Sequence, residues 1–239
     1  MEKYEIQVTY QESGTLLLAT LNMPDSVTCF GFGKGYYTMN CRYITIEREY
    51  GSGGTQIARQ MAARKEIACY GREILEEVSR ENDISVERIE RYEETATNSI
   101  LYSVYMLSQM AAGNADMLSN EGHIHVAEQS VIRRLAADHP AVFLGHCASE
   151  ALKEYEGVVT VYIRCTDEAA KRKRIVQEYG IPAASAEQVR HKYDRKRAIY
   201  YYANTAQKWD DLRKYDLVLD SGKLGIDRCV DVLGALMEH

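Results

Sequence analysis

Residues Tyr43-Ile-Thr-Ile-Glu-Arg-Glu-Tyr-Gly-Ser-Gly-Gly-Thr-Gln-Ile-Ala-Arg59 read as strand, glycine turn, helix. Tyr43 to Ile46 is a short apolar run suited to a buried parallel strand, and Ile57, Ala58, Met61 and Ala62 recur at helical spacing. Between them, Gly51, Ser52, Gly53 and Gly54 let the backbone approach an anion closely. Consecutive N–H groups and the positive end of the following helix then bind a phosphate. Glycine clusters also make ordinary turns, but placement after a strand and at the opening of a helix favours the phosphate reading. The full pattern G-x-x-x-x-G-K-[ST] is not met. With Gly54 as its last glycine, Glu49 stands for the first, Thr55 for the lysine and Gln56 for the Mg²⁺-binding hydroxyl.

Three further apolar runs, Ala141-Val-Phe-Leu-Gly145, Val158 to Ile163 and Tyr215 to Asp220, alternate with helical stretches. The pattern predicts a three-layer α/β domain, a parallel sheet with helices on both faces. Helices are expected over Arg72 to Glu81, from Ser85 as N-cap, over Asn98 to Ala112 and over Val126 to Asp138, the last ending before Pro140. Ile100, Leu101, Val104, Leu107 and Met110 form an apolar face that reads as core. Residues 1–38 differ in character. Tyr4 to Tyr10, Thr15 to Leu21 and Val27 to Phe32 are β-prone runs broken by turn residues, which predicts a small β-rich appendage before a main domain over 39–239. Gly31-Phe-Gly-Lys-Gly35 has no clear helix behind it and reads as a turn.

A length of 239 residues, 46% hydrophobic and 27% charged, suits one well-cored domain with a small addition. No segment is expected to span a bilayer, and Leu16 to Leu21 lacks the basic flank and cleavage signal of a secretory peptide, so a cytoplasmic location is expected. The six cysteines show no C-x-x-C pair and read as buried or idle thiols. His123, His125 and Glu128 lack the spacing of an open metal site, and no protein metal centre is expected. A net charge of −6 gives no general attraction to nucleic acid.

Between Arg164 and Arg197, by contrast, ten Lys or Arg stand against five acids, a segment of +5 inside the acidic chain. A basic helical hairpin broken at Gly180-Ile-Pro182 could close over phosphates as a lid, with Arg172 and Arg174 among its cations. The competing reading is a solvated helix surface. Tyr200, Tyr201, Tyr202 and Trp209 read as lid-to-core packing ahead of base stacking.

Taking Ile44 to Ile57 with Gly145-His-Cys-Ala148, Tyr193-Asp-Arg-Lys-Arg-Ala198 and Tyr215 to Ser221, the chain resembles the cytidylate kinase-like family of P-loop nucleoside monophosphate kinases, from about Met39 to the C-terminus. The resemblance implies a P-loop kinase fold with ATP and Mg²⁺ as cofactors and a nucleoside monophosphate as acceptor. Nucleotide binding falls by resemblance on Arg48, Gly51, Ser52, Gly53, Gly54, Thr55 and Gln56, and acceptor binding on Arg72, Asp194 and Arg197. The chain departs from the family at Thr55, where Arg or Lys is common, and at Gly145-His146, where Gly-Arg is common. Arg59, one helical turn beyond Thr55, is a candidate to restore the missing charge beside Arg172 and Arg174. Partners are therefore expected to be small nucleotides, with neither nucleic acid nor membrane, and a homo-oligomer is compatible. The alternative is a catalytically weak nucleotide-binding module, favoured by Thr55, Gln56 and His146. A nucleic-acid binder ranks last, since the protein is acidic.

Overall fold

The computed structural model describes residues 7–10, 16–20, 41–89 and 120–237. Seven strands form one sheet, β1 (Gln7–Tyr10), β2 (Leu16–Thr20), β3 (Tyr43–Arg48), β4 (Ala68–Tyr70), β5 (Ala141–Leu144), β6 (Val158–Arg164) and β7 (Leu217–Asp220), in the order β1-β2-β7-β6-β3-β5-β4. β3 to β7 are parallel, and β3 is the centre. Ile46 lies opposite Leu144 of β5 on one side and Val161 of β6 on the other. β1 and β2 pair antiparallel, and Leu16 meets Leu217 in parallel at the β7 edge. The expected strands within Tyr4 to Tyr10 and Thr15 to Leu21 thus extend the main sheet. The third β-prone run, Val27 to Phe32, the Gly31 to Gly35 turn and the helix over Asn98 to Ala112 lie outside the described residues.

Side-chain alternation along β3 explains the layers, since successive residues of a strand point to opposite faces. Ile44 and Ile46 join Val142, Leu144, Val161, Ile163, Leu217 and Leu219 on one face, covered by helices α1 (Gly54–Arg64) and α8 (Ile226–Leu236). Tyr43 joins Phe143 and Tyr162 on the other, covered by α2 (Arg72–Asn82), α3 (Asn120–Asp138) and the tyrosines of α6 (Ala186–Thr205). Ile44, Ile57 and Phe143 are fully buried, each stabilising by roughly 1.5–3 kcal/mol relative to exposure. Three further helices are α4 (Ala148–Ala151), α5 (Glu168–Gln177) and α7 (Ser221–Leu224).

Two departures from the sequence pattern have physical causes. β4 is only Ala-Cys-Tyr, too short to show a period, and forms because β5 offers it a parallel edge. β7 begins at Leu217, because Leu212–Lys214 form a 3₁₀ turn that drives Tyr215 inward, where its hydroxyl donates to the Trp209 carbonyl at 2.7 Å. Trp209 is itself buried and donates its indole N–H to Glu47 at 2.9 Å. The basic hairpin is α5 and α6, parted around Gly180, and it forms a helical lid packed against the end of β3.

Candidate functional site

β3 ends at Arg48, and the chain turns through Gly51 and Gly53, whose φ values of 80° and 79° are left-handed and suit glycine. Gly53 is the N-cap of α1 and no side chain caps it. The Gly54 N–H reaches Ser52 Oγ at 3.3 Å and the Ile57 N–H closes the first helical bond to the Gly53 carbonyl. The amides of Thr55 and Gln56 are left without an intrahelical acceptor, and the helix dipole adds to them. Ser221 Oγ donates to the Ser52 carbonyl at 2.6 Å and ties the turn to α7.

The lid supplies three bonds to backbone groups of this turn between Arg48 and Gly51. Arg197 Nη1 donates to the Arg48 carbonyl at 2.7 Å, Asp194 Oδ1 accepts the Tyr50 N–H at 2.6 Å, and Arg174 Nη1 donates to the Gly51 carbonyl at 2.5 Å. A Cβ on Gly53 would lie 3.4 Å from the Arg174 guanidinium, so that cation lies directly across the glycines. Tyr50 stacks on Tyr193 with ring centroids 4.6 Å apart and meets Tyr179 edge-on at 5.3 Å. Beneath the turn, Lys171 is buried, with its Nζ 3.0 Å from Glu49 and 3.2 Å from Glu168, while Glu49 also accepts the Cys165 N–H. A carboxylate at the first glycine position of the phosphate-loop pattern therefore anchors the lid.

Charges at the end of β3 are unevenly paired. The Arg48 Nε is buried without a hydrogen-bond partner. Burial, and after it the like charge of Arg197, lower the guanidinium to about 10, so it stays cationic at neutral pH. Burial also raises Asp194, against the Tyr50 N–H and Arg197, which pull it down. Arg48 underlies two close approaches: a Cβ on Gly54 would meet its Cβ at 2.6 Å, and one on Gly145 would meet its Nη1 at 2.7 Å.

The turn after β5 is left-handed at three successive residues, Gly145, His146 and Cys147, with φ of 74°, 55° and 52°. The two non-glycine positions cost roughly 1–2 kcal/mol each. Behind it sits Glu128 of α3, fully buried, with Oε1 3.6 Å from His146 Nδ1, Oε2 3.7 Å from His125 Nδ1, and the Tyr200 hydroxyl donating to Oε2. Burial works to raise this carboxyl, and the two imidazoles more than offset it, holding it below the usual range, at about 2.

Of the residues expected from sequence, Arg48, Gly51, Ser52, Gly53, Gly54, Thr55, Gln56, Arg174, Asp194 and Arg197 converge on the end of β3. Three others do not. Arg59 is exposed and pairs with Glu73 at 3.4 Å, Arg172 donates to the Ala183 carbonyl at 3.1 Å, and Arg72 lies 3.9 Å from Glu76 on α2. Lys171, Tyr50, Tyr193 and Tyr179 were not singled out as site residues, since an Lys among cations and a Tyr among eighteen carry no local signal. The His125–Glu128–His146 cluster escaped because His146 comes from a separate element. Among the described residues, no group of three His, Cys, Asp or Glu is arranged to hold a metal ion.

The fold is shared with a crystal structure of an uncharacterized protein from Eubacterium ventriosum ATCC 27560, at TM-score 0.60 and 24% identity over 82% of this chain and 97% of that one. A shikimate kinase from Bacteroides thetaiotaomicron aligns at TM-score 0.46 and 13% identity, over 82% of this chain and 98% of that one. No curated protein matches the chain. The model of the cytidylate kinase-like family matches residues 43–223, from the first residue of β3 into α7, and the chain belongs to that family.

Proposed function

We propose that this protein is a phosphotransferase that moves the γ-phosphoryl group of ATP to a small acceptor, a nucleoside monophosphate of the CMP kind. The observation that carries this reading is the glycine turn at the uncapped start of α1 with the Arg174 guanidinium across it. Phosphoryl transfer asks the protein for positioned positive charge and exclusion of water rather than for covalent chemistry. The amides of Thr55 and Gln56 with Arg174 would hold the β- and γ-phosphates, Arg48 and Arg197 face the acceptor side as a cationic pair, and α5 and α6 exclude water. Arg174 thereby takes over the charge that Thr55 lacks, a role that Arg59, held by Glu73, does not reach in this arrangement. Mg²⁺ would come with the nucleotide and neutralise phosphate charge, and Ser52 and Thr55 are the hydroxyl-bearing residues of the loop that could help to hold it.

Residues 1–38 are then an appendage whose strands dock on the β7 edge of the 39–239 domain. In this reading the protein is a cytoplasmic enzyme acting on small nucleotides; its net charge of −6 gives no general attraction to nucleic acid, and no helix among the described residues is long and apolar enough to cross a membrane. Thr55 and Gln56 favour one second reading, a weak nucleotide-binding module. A coupled ADP-release assay across nucleoside monophosphates, with ATP binding measured in parallel, separates them. Turnover with CMP supports the enzyme, ATP binding without turnover supports the module, and absence of ATP binding removes both.

A further inference from the structure

We propose that Tyr50 is a positioning residue, whose ring, held between Tyr179 and Tyr193, makes the lid and the glycine turn a single body and so keeps Arg174 over the turn before a nucleotide arrives. What Arg174 acts on rests on the phosphotransferase reading above; the clamp itself does not.

Four successive residues of the turn are each held by the lid. The Arg48 carbonyl accepts from Arg197, the Glu49 carboxylate pairs with Lys171, the Tyr50 N–H donates to Asp194, and the Gly51 carbonyl accepts from Arg174. The grip alternates between the two arms. Lys171 and Arg174 stand three residues apart on α5, and Asp194 and Arg197 three apart on α6, so each arm presents one helical face to the turn.

These polar contacts alone do not explain a lasting grip, because each donor and acceptor can turn to water when the arms part and a hydrogen bond has a small net worth. The Tyr50 ring has no such substitute. It stacks on Tyr193 of α6, with the planes 7° apart and the centroids 4.6 Å apart, and meets Tyr179, just beyond the end of α5, edge-on at 5.3 Å. The Arg197 guanidinium lies over the same ring, 5.8 Å from its centroid. One side chain of the turn thus touches both arms, and lifting either arm breaks an aromatic pair. The link to the cation is direct. Tyr179 donates its N–H to the Arg174 carbonyl at 3.2 Å, so holding the Tyr179 ring holds the last turn of helix from which that guanidinium projects. Burial raises the Tyr179 phenol, and the charge of Arg174 pulls against it, in keeping with that proximity.

The Tyr50 amide reports the closed lid, because its acceptor belongs to α6. The Gly145 amide, which donates to the Ile46 carbonyl in the sheet, is the control. Amide exchange is followed by NMR on the full chain without nucleotide. The native Tyr50 amide should exchange at least about tenfold more slowly than in an unfolded chain. Tyr193→Ala, at a ring that is 42% exposed, should speed it about threefold to tenfold and leave Gly145 unchanged. Tyr50→Phe keeps the ring and should exchange like the native chain. An unprotected Tyr50 amide in the native chain, no response to Tyr193→Ala, equal acceleration at Gly145, or fast exchange in Tyr50→Phe overturns the proposal. ATP titration then tests what the clamp positions. Tyr193→Ala should weaken ATP binding by about threefold to tenfold in the native background and by less than about twofold in Arg174→Ala, because the cation it positions is already gone. Equal losses in both backgrounds overturn the role through Arg174. A native chain that binds no ATP removes the phosphotransferase reading, and the exchange rates still decide the clamp.

Discussion

Arg174 Nη1 donates a 2.5 Å hydrogen bond to the carbonyl oxygen of Gly51, across 123 residues of sequence. A cation from the lid is thereby fixed over the glycine turn by a backbone acceptor, leaving its other guanidinium N–H donors for an anion such as the phosphate proposed above. Guanidinium geometry permits this division of labour, since five donors leave a fork.

Arg174→Ala should accordingly weaken ATP binding by about tenfold to a hundredfold, the range of one to two charge-assisted hydrogen bonds. Arg59→Ala should change it by less than about threefold, because that side chain is exposed and engaged with Glu73. Calorimetric titration of ATP into both variants checks the pair; equal losses would dismiss Arg174 as the compensating charge.

Gly53→Ala should unfold earlier than the native chain and bind ATP poorly. A Cβ there meets Ile226 Cδ1 at 2.5 Å in a backbone with φ of 79°, so crowding adds to left-handed strain. Gly180→Ala is the control, with φ of 70° and nothing within 4 Å of the added carbon. Strain alone predicts roughly 1 kcal/mol for Gly180→Ala and more for Gly53→Ala in urea unfolding. Equal losses would show that the Ile226 contact yields freely.

Asp194 and Arg197 hold the phosphate turn by its backbone, at the Tyr50 N–H and the Arg48 carbonyl. Asp194→Asn keeps an acceptor for Tyr50 and should be mild, whereas Asp194→Ala strands that amide and should cost about 1–3 kcal/mol. If Arg197 acts at the acceptor, as proposed above, Arg197→Ala should raise the acceptor KM or lower kcat while ATP affinity changes little. Loss of ATP affinity with unchanged acceptor kinetics would move Arg197 to the nucleotide.

Acid stability follows from Glu128, whose carboxyl is held near 2 against 4.5 for an unperturbed glutamate. A depressed folded-state value means that its stabilisation is present above the unfolded value and is lost as pH falls through the folded one. The native Tm should therefore drop steeply between about pH 4.5 and 2, and Glu128→Gln, although less stable at pH 7, should show a flatter acid limb. Parallel acid limbs would place the depression elsewhere.

The parallel sheet and the glycine turn were legible because their signals are local: four apolar runs, and four small residues between a strand and a helix. β4 was not, since three residues at an edge owe their extension to β5. Arg59 stood out by helical spacing from Thr55, but spacing fixes a face and not a partner, and Glu73 holds it instead. The placement of Arg174 over Gly51 depends on how the lid packs, which no local pattern encodes. Likewise Glu49 read as a missing glycine, although its carboxylate receives Lys171 and the Cys165 amide.

Thr55→Lys tests whether Arg174 supplies the charge that the loop lacks at Thr55. A compact charge on the β/γ-phosphates that strengthens in the transition state is worth roughly 3 kcal/mol, about a hundredfold in rate. If Arg174 already supplies that charge, the lysine should add less than about threefold in the native background, because a second cation at the same phosphates is repelled by the first. In Arg174→Ala the same lysine should recover most of the lost ATP affinity and ADP release. Non-additivity of this kind is the signature of two groups serving one position. A large gain from Thr55→Lys in both backgrounds would instead mean that the position is vacant in the native protein, and would favour the weak binding module.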